Sequence, residues 1–188
     1  MRRLVPKSQQ TPAGAMVADS LGLKRFVLVG HSLGAAASIA YAGLHPKRVA
    51  GLVLVGAPGK TPPAQAQQIM GALQADYEKV TLEYWDKLLA GARPQVDRQL
   101  RGEMTSVPRD AGLSLIRASF DFDPVPALNA YRGPKLALVT PHGDAPGDLH
   151  KLVVDLPYKL IIGTSHWPHM DKPAEFNRML NDFLASVA

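Results

Sequence analysis

The 188-residue sequence predicts an α/β fold built on a parallel sheet. Three observations carry that prediction. Continuous apolar runs occur at 25–30, 49–55, 135–140 and 158–163, as in strands buried on both faces. Helical patterns separate these runs, and alternation of strand and helix means parallel strands joined by crossovers. The first run ends in the tight turn Gly30-His31-Ser32-Leu33-Gly34, which leads directly into a helix of small residues.

The elements follow in order. Thr11-Pro12 reads as an N-cap with proline at the first helical position. Met16, Val17, Ser20 and Leu21 share one face of a short helix, and Gly22 closes it. RFVLVG is the first strand. A helix runs from Ser32 to about Leu44 and stops at His45-Pro46. Residues 49–55 form the second strand, bounded by Gly56, Ala57, Pro58 and Gly59.

From Thr61 to Ala130 strand signals vanish. Apolar residues take helical spacing at Ile69, Met70, Leu73 and Tyr77, then at Leu82, Trp85 and Leu89. Further helical stretches cover about 94–104 and 109–120, with Pro108 between them. Four helical segments exceed what one crossover needs, so 61–130 is expected to be an all-helical cap or lid. Residues 1–60 and 131–188 would form the core. KLALVT (135–140) and YKLIIG (158–163) are the last strands, with a polar turn, PHGDAPGD, and a short helix near 149–154 between them. Pro173 opens a terminal helix whose Phe176, Met179, Leu180, Phe183 and Val187 line one face.

Composition narrows the function. Hydrophobic content of 46% and charged content of 20% suit a globular domain. With no cysteine there is no disulfide framework and no thiolate nucleophile or ligand. The net charge is +5, but Lys and Arg are scattered and not interleaved with aromatics, so no nucleic acid partner is expected. No apolar run is long enough to span a membrane, and the basic start MRRLVPKSQQ has no apolar region behind it. The expected location is cytoplasmic.

The turn at Ser32 carries the chemistry. A strand, a serine between two glycines and a helix form a nucleophile elbow, in which backbone strain presents the hydroxyl at the strand's C-terminal end. Gly30 and Gly34 are expected to leave room where side chains would crowd strand and helix. The N–H of Leu33, at the positive end of the helix, is placed to stabilise an oxyanion. A serine hydroxyl needs a base, usually a histidine oriented by a carboxylate. Both should lie on loops after later strands.

His166 follows YKLIIG by the turn GTS and is the preferred base. Trp167 beside it would exclude water and contact substrate. His169 is the competitor, expected to face solvent or the loop turn. His31 is expected to point away from the nucleophile. His45, His142 and His150 read as surface or turn residues. Asp144, on the loop after KLALVT, is the preferred acid, with Asp148 on the same loop, or Asp121 and Asp123 one strand earlier, as alternatives. His142, Asp144, Asp148 and His150 lack a recognisable ligand spacing, so no metal is expected.

Three stretches then resemble the α/β-hydrolase superfamily, in its capped serine esterase-like branch. They are VLVGHSLGAAASIAYAGLHPKRVAGLVLVGAP, PVPALNAYRGPKLALVTPHGD and GTSHWPHMDKPAEFNRMLNDFL. The resemblance implies hydrolysis of a small-molecule ester through an acyl-enzyme, without cofactor. Ser32 would be nucleophile, His166 base, Asp144 acid, and Leu33 and Trp167 substrate-binding. Carbon–carbon bond hydrolases of this fold keep the serine, and a non-catalytic binding or assembly module is a further reading. The rate is expected to fall near pH 6–7, as for an ordinary imidazole base.

Two departures stand out. The acid loop lacks the family's compact G-x-x-D pattern at the strand end. The family also has several strands before the elbow, one of whose loops supplies a second oxyanion N–H, whereas here about 24 residues precede the strand at 25–30. That strand would be a sheet edge with open backbone groups. Either a homo-oligomer forms through it, or the chain is part of a longer protein. A monodisperse monomer in light scattering would argue against the homo-oligomer.

Overall fold

A computed structural model describes residues 13–104 and 106–187. A four-stranded parallel sheet lies at its centre in the order β1-β2-β3-β4. The strands are β1 (Phe26–His31), β2 (Val49–Val55), β3 (Lys135–Val139) and β4 (Tyr158–Leu160). The predicted α/β class holds, and strand order follows chain order. The last strand is shorter than its apolar run: it ends at Leu160, and the fully buried Ile161 just after it donates its amide to the Val139 carbonyl at 2.8 Å.

Each apolar run packs on two faces because side chains alternate along a strand. Leu52 and Leu54 of β2 turn toward α2 (Leu33–Leu44) and α7 (Pro124–Ala130), where Ala35, Ile39, Tyr41 and Leu128 meet them. Val53 and Val55 turn to the other face, against Phe176 and Phe183 of α10 (Pro173–Val187). The predicted stripe on that helix (Phe176, Met179, Leu180, Phe183 and Val187) covers this face. Phe183 comes so close to Gly51 that an added Cβ would sit 2.9 Å from its ring.

α1 (Ala13–Ser20) precedes β1, and Gly22 closes it at φ 66°. The Thr11-Pro12 cap lies outside the described residues. Val17 and Leu21 are exposed, the latter at 66%, and Ala18 is buried instead. Arg48 ties this region to the start of β2. It pairs with Asp19 at 2.7 Å, donates to the Leu23 carbonyl at 2.7 Å and lies over the Phe26 ring. No described strand pairs with the outer edge of β1, where Val29 is 48% exposed.

Between β2 and β3 stand α3 (Pro63–Ala75), α4 (Tyr77–Leu88), α5 (Pro94–Met104) and α6 (Arg109–Asp121). Asp76 caps α4 by accepting the Lys79 amide at 3.1 Å. Asp123 does the same for α7 through Val125, also at 3.1 Å, and pairs with Lys60 at 2.6 Å. Although α7 falls inside 61–130, it packs within the core on α2. Leu89, Val96 and Leu100 make a separate small cluster with Trp85, Trp167 and Met170. That cluster joins the helical insertion to the loop after β4. No helix among the described residues is long and apolar enough to cross a membrane.

Candidate active site

The C-terminal edge of the sheet gathers the candidate groups. Ser32 sits between β1 and α2 at φ 53°, ψ −122°, the one non-glycine residue with positive φ among those described. Such a backbone costs on the order of 1–3 kcal/mol and persists only where its surroundings impose it. Here they do. The Ser32 amide donates to the Val55 carbonyl at 2.9 Å, continuing the β1–β2 ladder. The Ser32 carbonyl accepts from Ala35 at 2.9 Å and Ala36 at 3.3 Å, which starts the helix. Leu33 opens that helix, so its N–H has no acceptor within it.

The two glycines of the elbow differ. An added Cβ at Gly30 would lie 2.6 Å from the Gly34 carbonyl oxygen and 2.7 Å from Ala35 Cα, so glycine is needed there. At Gly34 an added Cβ meets nothing within 4 Å. The expected crowding at Gly34 is therefore absent among the described residues, where the position is exposed.

His166 is 5% exposed and lies above the end of β2. Gly56 there has φ 53°, and a Cβ on it would come within 2.7 Å of the His166 ring. The His166 amide donates to the Leu88 carbonyl at the end of α4, at 2.9 Å. Three more imidazoles surround it. His31 is centred 4.8 Å away and His142 5.7 Å, while His169 packs on His31 at 5.1 Å. Burial, reinforced by repulsion from His31, His142 and His169, pushes the His166 pKa down to about 3. The ring is therefore held in its neutral form at neutral pH.

Several expectations for the histidines change. His31 turns toward His166: its Nε2–H donates to the His166 carbonyl at 2.8 Å, which sets its tautomer. Its pKa is lowered chiefly by burial, against the raising effect of that hydrogen bond. His169 turns inward against His31 and Phe176. His150 is buried and bonds Asp144. Adjacency to Ser32 was the one sequence signal for His31. Nothing in the sequence marked His150.

The acid is the main departure. Asp144 Oδ1 accepts from His150 Nε2 at 2.9 Å and lies 3.0 Å from Lys151 Nζ. Those two donors, Lys151 first, hold its pKa below the ordinary carboxylate value. Asp148 accepts the Ala145 amide within the same loop, and Asp123 is committed to Lys60 and Val125. None of them reaches His166, whose Nδ1 is buried without a hydrogen-bond partner among the described residues.

Aromatic side chains roof the site. Trp167 stacks on Trp85 of α4 at 5.1 Å, and Tyr84 stands edge-on to His142 at 6.3 Å. Burial and Asp148 raise the Tyr84 pKa. Tyr77 is not in this roof but lies against Gly112 of α6. Leu33 is partly exposed at the elbow.

Residues 8–179 match the alpha/beta hydrolase family along most of the chain. The chain belongs to that family. The chain is 30% identical to the 2-hydroxy-6-oxononadienedioate/2-hydroxy-6-oxononatrienedioate hydrolase of Paraburkholderia phymatum, over 89% of its own length. It spans about 65% of that relative's length. Its fold is similar to a bromoperoxidase from Bacillus anthracis, with TM-score 0.74 at 18% identity, covering 90% of this chain and 70% of that one. It is also similar to an esterase from Exiguobacterium antarcticum, with TM-score 0.72 at 15% identity and the same coverage.

Proposed function

We propose that this alpha/beta hydrolase cleaves carboxylic esters through an acyl-enzyme on Ser32. The observation that most supports this is the Ser32 backbone at φ 53°, between β1 and the N-terminus of α2, the strained conformation that presents a nucleophile in such an elbow. Ser32 Oγ attacks the acyl carbon while His166 takes the hydroxyl proton. The carbonyl oxygen becomes an oxyanion facing the Leu33 N–H. The carbon–oxygen bond then breaks, and His166 returns the proton to the leaving alcohol. Water, deprotonated by His166, attacks the acyl-enzyme and releases the acid, restoring Ser32. Asp144 serves as acid once the loop at 141–148 releases it from His150 and Lys151. What supports this role is that His166 Nδ1 is buried without a hydrogen-bond partner among the described residues. Trp85 and Trp167 shield the acyl group from water.

A short-chain nitrophenyl ester and a fluorophosphonate label test the reading. Wild type should turn over the ester and label at Ser32, and Ser32→Ala should do neither. Equal rates in both would refute it in favour of a binding module. Carbon–carbon bond hydrolysis is the second reading, supported by the likeness to the Paraburkholderia phymatum protein. Cleavage of a 2-hydroxy-6-oxo-dienedioate much faster than any ester, again dependent on Ser32, would favour it.

A further inference from the structure

Asp171 has no place in the chemistry described so far, yet it is a carboxyl group only 5% exposed. It sits at the end of α9 (Pro168–Asp171), five residues after His166. Its Oδ2 accepts the Ser165 amide at 2.8 Å and the Ser165 hydroxyl at 2.6 Å. Ser165 Oγ in turn accepts the Trp167 amide at 3.1 Å. One side chain therefore holds the backbone on both sides of His166.

The other oxygen reaches a different part of the molecule. Asp171 Oδ1 accepts the Arg93 amide at 2.9 Å, from the connection between α4 and α5. The Arg93 guanidinium also donates to the Met170 carbonyl. Nearby, Gly91 turns at φ 86° so closely that a Cβ there would lie 3.2 Å from the Thr164 carbonyl oxygen. The His166 amide bonds the end of α4, and Trp85 stacks on Trp167. The helical insertion and the histidine loop thus meet through main-chain hydrogen bonds as well as apolar packing.

We propose that Asp171 is a positioning residue, locking the His166 loop to the helical insertion through Ser165 and Arg93. In this arrangement the end of α4 and the turn after it are a fixed strut for the base, not a lid that swings clear of it. Three donors converge on one carboxyl group, so an amide cannot replace it: whichever way it turns, its NH2 meets a backbone donor. The inference rests on the reading of His166 as base only where activity is measured.

The test uses the whole chain with histidine side chains labelled with nitrogen-15. The His166 titration, followed by NMR among those of His31, His142 and His169, reports placement without catalysis. In Asp171→Asn and in Ser165→Ala the His166 midpoint should rise by about one pH unit as the loop loosens and water enters. Ser165→Thr, which keeps the hydroxyl, should restore it. Ester turnover should show kcat down about tenfold with KM little changed. Should Asp171→Asn fail to fold, Ser165→Ala carries the same expectation. A lower melting temperature with an unchanged His166 titration would overturn the proposal and leave Asp171 a merely structural group. A wild type without turnover would refute the ester reading alone, because the titration arm stands by itself.

Discussion

Replacing Ser32 by glycine should make the protein more stable than replacing it by alanine, while both replacements abolish Ser32 labelling. The reasoning starts from φ 53° and ψ −122°. Any residue with a Cβ holds that conformation at a cost of roughly 1–3 kcal/mol, and alanine inherits the cost. Glycine removes most of it but frees the unfolded chain, which costs about 0.5–1 kcal/mol relative to alanine. The difference leaves the glycine variant ahead by about 0–2.5 kcal/mol, centred near 1.2 kcal/mol. In a chain of this size the centre of that range is a melting temperature higher by roughly 2–5 °C. Thermal unfolding followed by circular dichroism measures it, and a fluorophosphonate label monitors the site in parallel. A Ser32→Gly variant that melts at or below Ser32→Ala would refute the claim that the elbow is strained.

The glycines beside the serine should separate. Gly30→Ala drives a methyl into backbone atoms at 2.6 and 2.7 Å and should cost about 1–3 kcal/mol, with loss of Ser32 labelling. Gly34→Ala meets open space and should be neutral, or stabilising by up to about 1 kcal/mol from helix propensity. Urea unfolding compares them, and equal losses would contradict the packing described. Acid should destabilise the fold through His166. Its pKa is about 3 folded against 6.5 in the unfolded chain, so only the unfolded state takes the proton between those values. Stability is full above pH 6.5 and falls as pH drops toward 3, by up to about 1.4 kcal/mol per pH unit. His31, His142 and His169 are lowered too and act in the same direction. Urea unfolding at pH 7, 6, 5 and 4 should show a shallower slope in His166→Asn, and an unchanged slope would exclude His166 as a contributor.

The elbow was legible because its signals are local. A strand, two glycines around Ser32 and a small-residue helix follow one another in the chain, and backbone sterics do the rest. The stripe of α10 was legible for the same reason: periodicity reports which side of a helix meets the sheet. The acid was not legible. Loop position alone ranked Asp144 ahead of Asp148, Asp121 and Asp123, and it carries no record of their partners: His150 and Lys151 from a short helix for Asp144, Lys60 from the loop after β2 for Asp123. Asp171 was visible only as a letter in the terminal motif, since its donors lie six and 78 residues away in the chain.

By itself, then, the sequence determined the α/β class, the four strands and their helices, and the identity of the strained serine. All of these depend on interactions within one element or between chain neighbours. Only the tertiary structure decided that three imidazoles crowd around His166, that its Nδ1 is left without a carboxylate and that Asp171 binds the histidine loop to the helical insertion. Hydrogen-bond partners and desolvation are set by what packs in space, and residue spacing carries no record of that.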